Sequence, residues 1–316
     1  MGYDRKIIRI KDTAKRMIEY IPAKTIVTKT KDSSWFGIDY NMNIYKGCCH
    51  GCIYCDSRSD CYQVEDFDRV RAKENALVII RNDLRRKVKK GVVGTGAMSD
   101  PYNPFEKELN LTRHSLELID AYGFGVSVAT KSPLLFRDAD ILESIREHSP
   151  VLCKVTVTAA DDELAKKIEP AAPVSSKRLA LISDLTARGI FAGILLMPVL
   201  PFLEDSQENI LGIVKAAHEA GARFIYAYFG VTMRDGQREW YLRKLEEIFP
   251  GRNLAWQYAK TYQNRYECHS RQAQSLWKCF VRECEKYGIL YRMKDIVCAY
   301  KRGYEETGQQ LSLFDL

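Results

Sequence analysis

The sequence predicts an α/β fold built from about six strand–helix units in series. Two observations support this prediction. Short apolar runs rich in β-forming residues end at Gly, Pro or polar residues, and segments with helical periodicity follow most of them. The run at 190–197 is almost continuously apolar, as expected for a strand whose two faces are both covered. A parallel sheet and a barrel of strand–helix units both satisfy these observations.

The predicted elements alternate along the chain. The predicted strands are 38–45, 91–98, 123–130, 151–158, 190–197 and 223–230. The predicted helices are 110–123, a segment near 138–147, 175–189, 205–221 and 270–288. Ser175 is the expected N-cap of its helix, Gly189 is the expected stop, and Asp205 with Glu208 has the spacing of a capping box. These signals set the order of the elements.

The chain is predicted to divide into a core and three flanking regions. Residues 1–35 form a short N-terminal extension and 36–230 form the strand–helix domain. Residues 231–305 form a helical C-terminal region rich in Arg, Lys, Tyr and Trp, and 306–316 form a flexible tail.

The composition is that of a soluble globular protein, with 46% hydrophobic and 28% charged residues among 316. No apolar run reaches the roughly 18 residues that span a bilayer, and the charged N-terminal segment is unlike a signal peptide. We therefore expect a cytoplasmic protein without a membrane partner. In that reducing compartment the ten cysteines are expected to serve metal binding or catalysis rather than disulfides. The net charge of +7 is compatible with a polyanionic partner.

The segment GCCHGCIYC, residues 47–55, concentrates soft metal ligands directly after the first predicted strand. Cys48, Cys52 and Cys55 have the spacing C-x3-C-x2-C. Three close thiolates could bind three irons of a four-iron cluster and leave the fourth iron open. The alternative is a zinc site completed by Cys49, His50 or Cys61, although zinc sites more often pair two C-x2-C turns.

This loop resembles the signature of the radical S-adenosylmethionine superfamily, and NIYKGCCHGCIYC is similar to its spore photoproduct lyase-like branch. The resemblance implies a partial (β/α)6 TIM-type barrel. It also implies a [4Fe-4S] cluster on Cys48, Cys52 and Cys55 whose open iron chelates S-adenosylmethionine. Electron transfer then releases a 5′-deoxyadenosyl radical, with flavodoxin or ferredoxin as the electron donor. Tyr54 stands where the family places an aromatic ring against the adenine.

Further motifs of that branch lie at the predicted strand ends. The resemblance implies that Ser99 or Asp100, in GAMSDPY, contacts the ammonium of S-adenosylmethionine, and that Lys131 contacts its carboxylate. It implies that Thr156 or Thr158 contacts the ribose. Polar residues at strand ends also serve as caps and in loops, so that alternative stays open for each.

One position departs from the family pattern. Spore photoproduct lyase has a cysteine that returns hydrogen to the substrate radical, and Ala97 stands at that position here. Cys153 and Tyr102 are the candidate replacements. The alternative for Cys153 is a small buried hydrophobic residue in a strand.

The cysteines near the C-terminus have no close pair. Their spacing favours packing over a second cluster, and the helix at 270–288 would place Cys284 on an apolar stripe. The set is Cys268, Cys279, Cys284 and Cys298.

The chain ends in a short motif, QLSLF at 310–314. Gln310, Leu311, Leu313 and Phe314 resemble the peptide by which bacterial DNA-processing proteins bind the sliding clamp, in which apolar anchors enter a pocket. The alternative is an amphipathic tail that folds back onto its own protein.

The segment 232–266 interleaves Arg and Lys with Trp and Tyr, which suits phosphates and unpaired bases, although its aromatic residues could equally be core. Together with the resemblance, the segment predicts a radical enzyme of the lyase class that abstracts hydrogen from a nucleic acid, most simply DNA. RNA, a peptide or a small molecule are alternative substrates. A non-catalytic clamp-associated DNA-binding protein with a structural cluster and a zinc-binding module are the alternatives of other classes.

Overall fold

A computed structural model describes residues 18–304, and twelve strands and eleven helices lie within that part of the chain. The strands are β1 (Glu19–Ile21), β2 (Val27–Lys29), β3 (Tyr40–Met42), β4 (Tyr45–Lys46), β5 (Arg71–Lys73), β6 (Val92–Thr95), β7 (Gly125–Thr130), β8 (Val151–Thr156), β9 (Ala192–Leu196), β10 (Ile225–Ala227), β11 (Gly230–Thr232) and β12 (Glu267–His269). The helices are α1 (Ala76–Arg85), α2 (Glu106–Leu109), α3 (Leu111–Ala121), α4 (Ala139–Arg146), α5 (Asp162–Ile168), α6 (Ser175–Ala187), α7 (Gln207–Glu219), α8 (Gln237–Ile248), α9 (Leu254–Tyr262), α10 (Ala273–Tyr287) and α11 (Met293–Lys301). Short 3₁₀ helices cover Asp56–Arg58, Asp60–Tyr62 and Pro133–Asp138.

The main sheet has the strand order β10-β9-β8-β7-β6-β3-β2. All neighbours from β10 to β3 pair in parallel, and β2 adds an antiparallel edge. The order is linear and does not close, so the sheet is the predicted partial (β/α)6 barrel. Parallel strands require crossover connections, and helices between consecutive strands supply them.

Different elements pack on the two faces of this sheet. Val128, Cys153 and Ile194 point outward into the large core formed with the surrounding helices. Leu152 and Leu195 point inward, where they pack with residues of α11. Side chains alternate between faces along a strand, so neighbours such as Leu152 and Cys153 necessarily face opposite ways.

The C-terminal region packs closely onto the barrel. Helix α11 covers the inner face, and the hydroxyl of its Tyr300 donates a 2.6 Å hydrogen bond to the carbonyl of Phe36. Helix α10 packs against α7. Helices α8 and α9 form a separate hydrophobic core that includes Cys52 and Tyr54 of the cysteine loop.

Some local predictions were wrong. The first predicted strand is interrupted, since β3 belongs to the main sheet whereas β4 pairs with β5 in a small separate sheet. The N-cap before α6 is Val174, not Ser175. Helix α7 is capped by Ser206, whose side chain accepts from the Asn209 N–H. Asp205 instead accepts from the Phe202 N–H at 2.7 Å, because the preceding Pro-rich turn brings that donor to it.

Candidate active site

The cysteine loop, residues 47–55, depends on two glycines. Gly47 and Gly51 have positive φ angles of 79° and 70°, which favour glycine. A Cβ at Gly47 would also overlap the carbonyl oxygen of Arg69. The sequence GCCHGC can therefore turn sharply enough to bring its cysteines together.

The loop is bound to the segment that follows α5. The Ile53 N–H donates to the carbonyl of Ile168 at 3.0 Å, and the His50 carbonyl accepts from the Ala171 N–H at 3.1 Å. Since Ile168 lies beyond the end of β8, the cysteines are held at the carboxyl-terminal side of the parallel strands. Active sites of barrel enzymes lie on that side.

Cys48, Cys52 and Cys55 interact within this loop. Burial raises the pKa of all three thiols, that of Cys48 to about 12, and their mutual electrostatic interaction raises the pKa of Cys48 and Cys52 further. Metal ligation requires the thiolate form, so such thiols release protons when they bind metal. A buried set of three thiols fits a cluster with three cysteine ligands.

The other candidates of the zinc alternative have different surroundings. His50 is buried, with Nδ1 3.5 Å from Oδ2 of Asp100, and burial lowers its pKa. Cys61 is exposed, and its sulfur contacts the Ser59 hydroxyl at 3.2 Å. Within residues 18–304, no group of three or more His, Cys, Asp or Glu side chains is close enough together to hold a single metal ion, and this applies to Cys48, Cys52 and Cys55 as well as to the zinc alternative.

Asp100 joins two strand ends. Its carboxylate accepts hydrogen bonds from the backbone N–H of Tyr102 at 2.9 Å, the hydroxyl of Thr130 at 2.6 Å and the backbone N–H of Lys131 at 2.8 Å. The adjacent Ser99 hydroxyl is buried and has no hydrogen-bond partner in the part of the chain that the structure describes. The capping alternative therefore describes Asp100 well, and Ser99 is the residue with unused capacity for a ligand.

Lys131 and Tyr54 converge on Glu169, which the sequence analysis missed. The Tyr54 hydroxyl donates to Oε1 of Glu169, and the Arg178 guanidinium donates to Oε2. The Lys131 ammonium lies 3.7 Å from Oε1. Burial opposes ionisation of Glu169, but Arg178 and Lys131 outweigh it and lower its pKa, so the carboxylate is charged. An acidic residue directly before Pro170 carries no motif that would have identified it.

Thr156 and Thr158 lie nearby, at the end of β8. The carbonyl of Thr156 accepts from Arg178 at 3.0 Å, and Thr158 lies beside the side chain of Glu204. Glu204, also missed as a site residue, is fully buried, and burial raises its pKa to about 8. Its Oε1 has no hydrogen-bond partner among residues 18–304. A neutral carboxylic acid is therefore present beside the predicted ribose-contacting threonines.

The two predicted hydrogen donors lie elsewhere. Cys153 is fully buried on the outer face of the sheet, and burial raises its pKa to about 12. Tyr102 belongs to the same outer core, near Cys153 and Asp138. Thr156 points to the opposite face of β8, so this placement does not support Cys153 or Tyr102 as donors to a substrate on the inner side.

The remaining cysteines are dispersed. Cys268 lies in the core beneath α8 and α9, whereas Cys284 lies in the main core under α7. The Cys279 thiol donates to the carbonyl of Leu276 within α10, and Cys298 is exposed. The buried positions of Cys268, Cys279 and Cys284 agree with packing roles, whereas the exposed Cys298 has none. Gln310, Leu311, Leu313 and Phe314 lie outside the described residues.

The fold is a partial barrel of strand–helix units, and the cysteine loop lies at the carboxyl-terminal side of its parallel strands. The model of the radical SAM superfamily matches residues 42–214, and this chain belongs to that superfamily. Its cofactors are a [4Fe-4S] cluster and S-adenosylmethionine.

The chain is also similar in sequence to curated relatives and in fold to solved structures. Uncharacterized proteins of Mycobacterium tuberculosis and Mycobacterium bovis are 30% identical over 246 residues, which is 76% of this chain and 72% of theirs. A protein of Methanocaldococcus jannaschii is 34% identical over 198 residues, covering 62% of this chain and 72% of the relative. Spore photoproduct lyase complexed with dinucleoside spore photoproduct matches with a TM-score of 0.63 at 12% identity, covering 85% of this chain and 79% of that one. The radical S-adenosylmethionine methyltransferase TsrM from Kitasatospora setae matches with a TM-score of 0.53 at 12% identity, covering 81% and 52%.

Proposed function

We propose that this enzyme cleaves S-adenosylmethionine reductively and abstracts hydrogen from a nucleic acid, in DNA repair or DNA modification. The observation that carries the choice of substrate is a set of cation–aromatic pairs beside the cysteine loop. Arg58, three residues after Cys55, lies 3.9 Å from the centroid of the Trp240 ring. Arg234 lies 4.9 Å from the ring of the exposed Tyr266.

Both arginines also pair with carboxylates, Arg58 with Asp68 and Arg234 with Asp56, so the exposed rings are the part of this surface that suits an unpaired nucleic acid strand. Trp256 is 60% exposed on α9, with the Lys260 ammonium 4.7 Å from its ring. Exposed rings of this kind can stack on bases while the adjacent cations meet phosphates. Other aromatic residues of the same region are core residues, namely Tyr241, Tyr258 and Tyr262. The aromatic residues of the segment 232–266 therefore fall into two groups, one in the hydrophobic core and one on the surface that we propose for nucleic acid.

The residues of the loop have the following roles in this proposal. Cys48, Cys52 and Cys55 hold the cluster, which when bound supplies the electron that splits S-adenosylmethionine into methionine and a 5′-deoxyadenosyl radical. Tyr54 places its ring against the adenine. We propose a flavodoxin or a ferredoxin as the electron donor, and the cytoplasm as the location.

The strand ends supply the polar contacts to S-adenosylmethionine. Ser99, with its unused hydroxyl, accepts from the ammonium, and Asp100 holds the loop that carries it. Lys131 attracts the carboxylate as a point charge. Thr156 and Thr158 face the ribose. Within residues 18–304, no helix is long and apolar enough to cross a membrane.

We do not extend the proposal to the specific reaction of spore photoproduct lyase. Ala97 cannot donate hydrogen, and Cys153 and Tyr102, the candidate donors from the sequence, both lie in the main hydrophobic core. The docking of residues 310–314 on a sliding clamp remains a proposal from the sequence.

Anaerobic reconstitution followed by quantification of 5′-deoxyadenosine tests the proposal. Formation that rises with UV-irradiated DNA, and not with undamaged DNA, would support a lesion-directed enzyme. A rise with undamaged DNA alone would indicate modification rather than repair. Formation that no nucleic acid stimulates would move the substrate to peptides or small molecules.

A further inference from the structure

Glu169 lies beside two residues that we propose to bind the ligand, Tyr54 and Lys131. Its side chain is 1% exposed, and its oxygens accept from the Tyr54 hydroxyl and the Arg178 guanidinium. Tyr54 follows Cys52 by two positions in the cysteine loop, whereas Lys131 follows β7. One buried carboxylate thus connects the loop to the end of a different strand.

The contact with Lys131 differs from the other two. The Lys131 Nζ lies 3.7 Å from Glu169 Oε1, beyond the range of a hydrogen bond but close enough for a strong electrostatic attraction. The Lys131 ammonium is therefore held near Glu169, but its N–H groups do not form a hydrogen bond to that carboxylate. It also lies 5.8 Å from the centroid of the Tyr54 ring, so the two side chains are neighbours.

Glu169 lies between two cations. Its Oε1 is 3.7 Å from the Lys131 ammonium, and its Oε2 accepts from the Arg178 guanidinium. The Arg178 guanidinium also donates to the carbonyls of Pro173 and Thr156, so the fold fixes its position. Lys131 can therefore attract a ligand carboxylate as a point charge while Glu169 holds its ammonium in place.

We propose that Glu169 is a positioning residue that orients Tyr54 for the adenosine portion and Lys131 for the methionine carboxylate of S-adenosylmethionine. The inference rests on the proposed roles of Tyr54 and Lys131. It adds that the Glu169 carboxylate influences the binding of both ends of the ligand, so its loss should weaken the binding of both ends.

Two ligands distinguish effects at the adenosine end of the site from effects at the carboxylate end. S-adenosylmethionine reports on both, whereas 5′-methylthioadenosine lacks the carboxylate and reports on the adenosine end alone. Dissociation constants would be measured by calorimetry on the reconstituted protein and on Tyr54→Phe, Lys131→Met and Glu169→Gln variants. Glu163→Gln, an exposed substitution on α5, is the matched control.

Tyr54→Phe should raise both dissociation constants by the same factor, and Lys131→Met should raise only that of S-adenosylmethionine. Glu169→Gln should reproduce the Tyr54→Phe factor for 5′-methylthioadenosine and weaken S-adenosylmethionine by about tenfold more. It should also reduce the change that S-adenosylmethionine produces in the electron paramagnetic resonance spectrum of the reduced cluster, with iron content equal to that of Glu163→Gln. Equal effects on both ligands, or no effect, would overturn the inference.

A second measurement does not depend on the Glu169→Gln variant folding. If Glu169 links Tyr54 and Lys131, the double variant should weaken S-adenosylmethionine binding by at least about threefold less than the product of the single factors. Strictly multiplicative factors would overturn the inference. A wild-type protein that holds the cluster but binds neither ligand would instead refute the proposed function itself.

Discussion

Asp100 accepts a 2.6 Å hydrogen bond from the hydroxyl of Thr130, and this contact joins the segment after β6 to the end of β7. The same carboxylate accepts from the backbone N–H of Lys131. The position of Lys131 in the site therefore depends on a buried contact between two neighbouring strand ends.

Thr130→Val should destabilise the fold, because it leaves a buried carboxylate oxygen with one donor fewer. We expect the free energy of unfolding to fall by about 1–3 kcal/mol. Urea unfolding under anaerobic conditions would measure it, with Thr28→Val on the exposed side of β2 as the control. Equal stability of the two variants would contradict this view of Asp100.

Cys52→Ala should abolish S-adenosylmethionine cleavage, since the cluster would lose one of its three protein ligands. Iron content and 5′-deoxyadenosine formation are the measurements. Cys61→Ala is the control, because Cys61 is exposed and belongs to the zinc alternative rather than to the cluster. Full turnover by Cys52→Ala, or complete loss in Cys61→Ala, would show that the ligand set is different.

Trp256→Ala should weaken binding of single-stranded DNA, because an exposed ring that can stack on a base is lost. A stacked base contributes about 1–3 kcal/mol, which corresponds to a rise in dissociation constant of about fivefold or more. Fluorescence anisotropy at a fixed salt concentration would measure it. Trp35→Ala provides the control, since Trp35 is also exposed but packs beside Phe36 before the first barrel strand. Equal affinities of the two variants would argue against the proposed surface.

Lys154 should make stability depend on pH. It is 2% exposed on the inner face of the sheet, its Nζ lies 2.8 Å from the Ser127 hydroxyl, and burial lowers its pKa to about 7. The unfolded chain then binds more protons than the folded one between about pH 7 and the ordinary lysine pKa of about 10.4, so this lysine contributes more favourably as pH rises.

Lys154→Met removes this dependence. Its stabilisation relative to wild type should be about 2 kcal/mol larger at about pH 7 than at about pH 9. Urea unfolding at the two pH values would measure the difference, with the exposed Lys166→Met as the control. A stability difference that is the same at both pH values would mean that Lys154 stays charged in the fold.

Deletion of residues 310–314 should remove binding to a bacterial sliding clamp, because the apolar anchors Leu311, Leu313 and Phe314 are lost. Calorimetry with purified clamp would measure the affinity, and 5′-deoxyadenosine formation should be unchanged. Undiminished clamp affinity after the deletion would exclude the motif.

The sequence predicted the strands well where hydrophobic burial decides the structure. The run at 190–197 contains β9, and 151–158 contains β8, because strands covered on both faces have few polar residues. The interruption between β3 and β4 was not visible, since Asn43 in the gap is the same residue type as Asn41 inside β3, so composition does not distinguish the two positions.

Other parts of the site were harder to predict from the sequence, and the reasons differ. Cys153 and Thr156 are separated by an odd number of positions on β8, so the alternation of side chains already places them on opposite faces. Glu169 and Glu204 lie in connections after secondary elements, and only the tertiary fold brings them to Tyr54 and Thr158. Local patterns contain no information on such contacts.

Deuterium transfer tests the central claim most directly. The reconstituted enzyme would be incubated with S-adenosylmethionine and with single-stranded or UV-irradiated DNA deuterated in its sugars and bases, and 5′-deoxyadenosine would be analysed by mass spectrometry. Abstraction of hydrogen from DNA predicts one deuterium in the product, in amounts that depend on the DNA. Product that forms at the same rate and contains no deuterium would contradict a DNA substrate.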